Sequence, residues 1–178
     1  MSEIRTMMTL TDVRKFSPKK QIGTGGYSQE KSEASWELIN MQRGERATII
    51  ENYVADQIEQ WTGYQANTTR ANWPWDITVH LDNKPVRVEV KSAIKMKGHE
   101  YSYLIQGVKP HLFDYIVFAL VTPTGVELRW SHSKSMTEEC RWKTESENGY
   151  CVNISTKKLK AGGYDEWLFH IEDFPGEF

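Results

Sequence analysis

Asp76, Glu89 and Lys91 are residue types that can hydrolyse a phosphate ester together if the chain brings them to one surface. Two carboxylates offer hard oxygen ligands, which suit magnesium, manganese or calcium better than zinc. A lysine two residues after a ligating carboxylate points to the same side of a strand. There it can orient a water or offset the negative charge that builds on a phosphate in the transition state. That is the equipment for metal-assisted phosphodiester hydrolysis.

The local pattern supplies the surface. Ile77, Val79 and Leu81 alternate with Asp76, Thr78 and His80. After the turn-forming residues Asp82, Asn83, Lys84 and Pro85, Val86, Val88 and Val90 alternate with Arg87, Glu89 and Lys91. The switch to a period of two predicts a β-hairpin. Its apolar residues share one face and its polar residues the other. With Leu81 set opposite Val86, Asp76 falls opposite Lys91 and Thr78 opposite Glu89. Asp76 and Glu89 are then diagonal neighbours, roughly 7 to 8 Å apart at the backbone. Two carboxylates on one face are costly unless a cation joins them. His80 lies on the same face and reads as a surface histidine. Trp73 and Trp75, just before Asp76, could stack on bases, but tryptophan is usually structural and they are expected to pack the sheet edge.

A helix precedes the hairpin. Ala47, Ile50, Val54, Ile58 and Trp61 recur at three- and four-residue steps from Gly44 to Trp61, with Gly63 as its stop. Glu51 lies along the edge of that stripe, whereas Glu45 and Glu59 point further away. A buried strand is expected at Tyr115–Val121 and a fourth at Val126–Trp130. Ser131 to Tyr150 reads as polar loop, and the tail from Gly163 to Phe178 is aromatic enough to pack. Residues 1 to about 40 give no clear pattern. The glycine-rich stretch at 21–28 lacks the Gly-Lys-Ser/Thr ending of a phosphate-binding loop and reads as a plain loop.

Length and composition set the frame. A chain of 178 residues suits one domain with its own core. Its expected span is 1–178, with a core at about 44–130, an N-terminal segment 1–43 and a C-terminal extension 131–178. Apolar residues at 39% and charged residues at 26% are an ordinary globular balance. The net charge of −2 argues against nonspecific coating of nucleic acid. Positive charge is instead local: Arg14, Lys15, Lys19 and Lys20; Lys91, Lys95 and Lys97; and Lys157, Lys158 and Lys160, which read as solvated faces. No apolar run approaches the roughly 20 residues that span a bilayer, and the opening residues lack a secretory stretch. Cys140 and Cys151 are therefore expected as reduced thiols in a cytoplasmic protein. The five histidines show no zinc-site spacing, the cysteines form no CxxC, and no Gly-x-Ser-x-Gly element appears.

Over about residues 44 to 121 the chain resembles the PD-(D/E)XK nuclease superfamily, restriction endonuclease-like enzymes. The resemblance rests on a helix with an acidic residue, a hairpin carrying Asp76 and then Glu89-Val90-Lys91, a connecting segment and a buried strand. It implies an α/β fold with a mixed central β-sheet flanked by helices. It implies that Asp76 and Glu89 bind the metal with the backbone carbonyl of Val90, that Lys91 assists the attacking water, and that Glu51 supports a metal or its water shell. Here Pro74 and Asp76 are separated by Trp75, so the Pro-Asp pair is not intact. A second match, Asp82-Asn83-Lys84, is set aside because it occupies a turn.

The resulting expectation is a magnesium-dependent endonuclease, with manganese substituting, that cuts double-stranded DNA and works as a homodimer, since one site cuts one strand. The alternatives are a non-catalytic nucleic-acid-binding module of the same fold and a structure-specific or RNA nuclease. A solvent-facing hairpin with polar residues and no function is the plainest reading of the motif alone.

Overall fold

Alternation in the hairpin, helical periodicity before it and an unbroken apolar run after it resolve into a mixed α/β structure. It is described here by a computed structural model covering residues 7–8, 10–16, 38, 40–82, 84–94, 102–122, 125–141 and 143–175. The glycine-rich stretch and the lysines at 19, 20, 95 and 97 lie outside these residues. Its strands are β1 (Met7–Met8), β2 (Gln65–Thr68), β3 (Ile77–Leu81), β4 (Lys84–Ile94), β5 (Ser102–Val108), β6 (Tyr115–Thr122), β7 (Gly125–His132), β8 (Tyr150–Ser155) and β9 (Phe169–His170). Its helices are α1 (Leu10–Phe16), α2 (Arg43–Thr62), α3 (Ser133–Cys140) and α4 (Thr156–Lys160).

A seven-stranded sheet runs β1-β7-β6-β4-β3-β2, with β9 also on β7. The β4–β6 pair is parallel and the remaining pairs are antiparallel. β5 and β8 form a separate two-stranded antiparallel ribbon. No helix among the described residues is long and apolar enough to cross a membrane.

Strand β6 shows why the sheet sits in the middle. Ile116 through Val121 are all buried. Val117, Ala119 and Val121 join Ile49, Ile50, Val54 and Ile58 of α2 in one core. Ile116, Phe118 and Leu120 join Tyr103 and Ile105 of β5, Val152 and Ile154 of β8, and Met136 of α3 in the other. A strand between two layers needs apolar residues at every position, as this one has.

Helix α2 ends where glycine allows it. Gly63 takes φ +75°, the left-handed region that costs glycine little, and its N–H donates to the Glu59 carbonyl at 2.8 Å. The apolar stripe stops short of its predicted end. Ile50, Val54 and Ile58 are buried, but Trp61 is 45% exposed.

Three expectations need correction. Ser131–Tyr150 is not simply loop: it contains α3, anchored by buried Met136 and Cys140 one helical turn apart. The segment between hairpin and buried strand is not a mere connection but carries β5. The hairpin register differs by two residues: Leu81 pairs with Lys84, Val79 with Val86 and Thr78 with Arg87. The turn is therefore shorter than four residues, with Asp82 at φ +42°, as two-residue hairpin turns require. A slip of two leaves every side chain on its face. Ile77, Val79, Leu81, Val86, Val88 and Val90 accordingly all enter the α2-side core. The tail packs as anticipated, with Tyr164, Leu168, Ile171 and Phe174 buried.

Candidate active site

The hairpin pairing begins at Ile77, across from Val88, and Asp76 stands just before it, against the Val88–Val90 stretch of β4. The Asp76 N–H donates to the Val88 carbonyl at 3.1 Å. Its carboxylate Oδ2 accepts the Val90 N–H at 2.7 Å. Asp76 is thus bound to β4 from both its backbone and its side chain. Lys91, two residues after Glu89 on β4, forms an ion pair with Glu89 Oε1.

The segment before Asp76 is held by several bonds. Thr69 N–H donates to the Asp76 carbonyl at 2.8 Å, and Thr69 Oγ1 donates to the Trp75 carbonyl at 2.5 Å. Trp75 Nε1 donates to Thr78 Oγ1 at 3.0 Å, with the Arg87 guanidinium 5.8 Å from the Trp75 ring centroid. Arg87 in turn grips Asp114 through Nε at 3.1 Å and Nη2 at 2.9 Å, while its backbone N–H donates to the same carboxylate at 2.8 Å. This fork ties β4 to the start of β6, where Val88 pairs with Tyr115.

Burial and like charge act on the carboxylates together. Burial pushes Asp76 up, against the Val90 N–H and the Lys91 charge, which favour ionisation. Burial and then the charge of Asp76 raise Glu89, with Lys91 opposing. Glu51, on α2, is pushed up to about 7 by burial first, then by Asp76 and Glu89. Glu51 therefore lies close enough to feel both carboxylates. Among the described residues, however, no three acidic, histidine or cysteine side chains are gathered tightly enough to hold a metal ion. Asp76, Glu89 and Lys91 are joined through β4, and Glu51 of α2 is coupled to them through charge.

Glu89 and Lys91 line a cleft of about 550 Å³ whose walls also include Arg43, Pro74, Lys109 and Asn148. Arg43 opens α2 and Lys109 follows β5, so their approach to Glu89 depends on the tertiary fold. No motif around either residue signals it. His80 is exposed on the polar face, as read from sequence. Trp73 is 53% exposed and does not pack the sheet edge. It meets Trp75 edge-on, with centroids 4.9 Å apart.

No protein-family model matches the chain, and no curated protein matches it. Among solved structures, a bacterial homing endonuclease aligns with TM-score 0.43 at 12% identity, over 60% of this chain and 72% of that one. A likeness of that size fixes neither the fold family nor the chemistry of this chain.

Proposed function

We propose that the protein is a divalent-cation-dependent nuclease of the restriction endonuclease-like, PD-(D/E)XK kind, hydrolysing phosphodiester bonds in DNA within a single domain. The observation that supports this most is Asp76 bound to β4 on both sides of Glu89, through the Val88 carbonyl and the Val90 N–H, with Lys91 paired to Glu89 in the wall of an open cleft.

The donor set fits a hard cation. Two partly buried carboxylates, both raised by burial and Glu89 also by the charge of Asp76, are relieved by a positive ion between them. Asp76, Glu89 and the Val90 carbonyl would hold magnesium or manganese, with Glu51 supporting its water shell. Such an ion, when bound, makes its water more acidic and offsets charge on a phosphate.

The chain's own residues do the rest. Asp76 is pre-positioned by the Val90 N–H, so its carboxylate direction is set before any ligand arrives. Lys91 gives up its pairing with Glu89 and presents its ammonium to the phosphate oxygens. Its charge is of most use in the transition state, when those oxygens gain charge. The Arg87–Asp114 fork keeps the Glu89 segment of β4 aligned with β6. On duplex DNA, a second copy of the chain would cut the second strand.

Incubation of the purified protein with supercoiled plasmid tests this reading. Nicking or linearisation with magnesium or manganese, abolished by chelator, is the expected result. Duplex, single-stranded and branched DNA and RNA all left intact with both metals would overturn it and leave a non-catalytic binding module.

A further inference from the structure

Pro74 lines the cleft beside Glu89 and Lys91, and the residue before it, Trp73, is half exposed. An aromatic ring left half in water forgoes part of the free energy of burial, and this one directly precedes a residue of the cleft wall. The ring is not on a loose segment. Trp73 N–H donates to the Arg70 carbonyl at 3.0 Å, and the ring abuts Trp75, itself fixed by Thr78, Thr69 and Arg87. The edge-on contact, with planes at 86°, does not cover a Trp73 face with its neighbour's. Arg43 and Lys109 bring positive charge to the same cleft, and neither forms an ion pair among the described residues. A cavity of about 550 Å³ is of the size that takes a small molecule, such as one or two nucleotides.

We propose that the cleft takes an unpaired polynucleotide segment, with a base stacked on Trp73 and neighbouring phosphates held by Arg43 and Lys109. This deepens the nuclease reading and rests on it, naming the substrate as single-stranded or locally unpaired nucleic acid. Stacking on an aromatic ring is indifferent to base identity, so Trp73 supplies affinity for an exposed base and no sequence code. In a duplex the base faces are already covered by their neighbours, and Trp73 gains nothing from them.

The test is fluorescence anisotropy of the full chain in calcium, using labelled (dT)12, (rU)12 and a blunt hairpin duplex. It is run beside hydrolysis of bis(p-nitrophenyl) phosphate in manganese. The single strand should bind at least about 10-fold tighter than the duplex, and Trp73→Ala should weaken it about 10-fold, with Trp73→Phe retaining most of the affinity. The tighter of the (dT)12 and (rU)12 arms identifies the sugar. Arg43→Gln and Lys109→Gln should each flatten the salt dependence by about 0.7 in the logarithmic slope. Turnover of the small diester by the wild type reports the chemical step apart from polynucleotide binding. Tighter binding of duplex, or wild-type affinity in Trp73→Ala, overturns the proposal. A (dT)12 affinity lost in Trp73→Ala only together with a clearly lowered melting temperature, and not recovered in Trp73→Phe, also overturns it, by making Trp73 a scaffold. If nothing is hydrolysed but (dT)12 binding still depends on Trp73, the binding proposal stands and the nuclease reading falls.

Discussion

The Val90 N–H donates to Asp76 Oδ2 at 2.7 Å, so the residue between Glu89 and Lys91 also fixes the carboxylate across the hairpin. One strand thereby organises three functional groups. Glu89 and Lys91 project from β4, and the backbone between them holds Asp76. This bond also separates two substitutions that would otherwise look alike.

Asp76→Asn keeps an oxygen for the Val90 N–H, whereas Asp76→Ala leaves that donor without its partner. Both should lose cleavage by about 100-fold or more, the scale of losing one group that acts on developing charge. Thermal melts without metal should divide them. Asp76→Asn should match or exceed the wild type, because a buried charge is removed. Asp76→Ala should fall below Asp76→Asn by about 1–3 kcal/mol, the cost of an unmet donor. Equal melting of the two variants would show that the Val90 bond carries no weight.

Much of this arrangement was legible in the sequence because burial acts on faces. Alternation assigned Asp76, Glu89 and Lys91 to one side of the hairpin, and Ile77, Val79, Val86, Val88 and Val90 share the core that it gave to the apolar side. It did not give the partners, since a two-residue slip preserves every face while exchanging each cross-strand neighbour. The choice fell to the turn, where Asp82 adopts φ +42°. Helix α3 went unread because Met136 and Cys140 are its only buried residues in an otherwise polar segment. The ribbon was missed for a related reason: Tyr103 with Ile105 and Val152 with Ile154 are short alternations, and Gly107 at φ +73° breaks the first. Arg43 and Lys109 could not be found locally, because only the packing of α2 and the end of β5 against the sheet makes them neighbours of Glu89.

Glu51 is coupled to Asp76 and Glu89 through charge, and its substitution should show that weaker involvement. Glu51→Gln removes a carboxylate held up at about 7 by burial and by Asp76 and Glu89. Titration calorimetry with manganese should report weaker binding, by roughly 10- to 100-fold, the range for groups that support metal ligands. The loss should be smaller than in Asp76→Asn. A Glu51→Gln protein that binds manganese as the wild type does would remove Glu51 from the site.

Acid stability should depend on the Arg87–Asp114 fork. Burial alone would raise the Asp114 carboxyl, but the hydrogen bonds and charge of Arg87 outweigh it and hold Asp114 below the usual carboxylate range. A group depressed in the folded state contributes stability above its unfolded value, near 3.8, and loses it as pH falls through the lower folded value. Asp114→Asn should therefore lower stability at pH 7 and flatten the acid limb of the pH–stability curve below about pH 4. The pair is partly solvent-exposed, so screening keeps the effect on the order of 1 kcal/mol. Urea melts of both proteins from pH 3 to pH 7 measure it, and parallel curves would contradict the assignment.

Lys91 is the residue whose removal should separate binding from chemistry. In the metal-free protein its ammonium pairs with Glu89 and lowers the cost of ionising both Glu89 and Asp76. Lys91→Ala therefore leaves the two carboxylates with less compensation. A divalent cation then has more negative charge to neutralise and no lysine to displace. Manganese affinity by titration calorimetry should be unchanged or tighter. Turnover should nonetheless fall by about 100- to 1,000-fold, because the lost charge acts on phosphate oxygens chiefly in the transition state. The loss should appear in kcat, with KM for a single-stranded substrate changing far less, since Arg43 and Lys109 remain to hold its other phosphates. Lys91→Arg restores the charge but not the compact ammonium, so it should recover only part of the rate. Weaker manganese binding in Lys91→Ala, with kcat at saturating metal restored, would place Lys91 in organising the metal site and not in the chemical step.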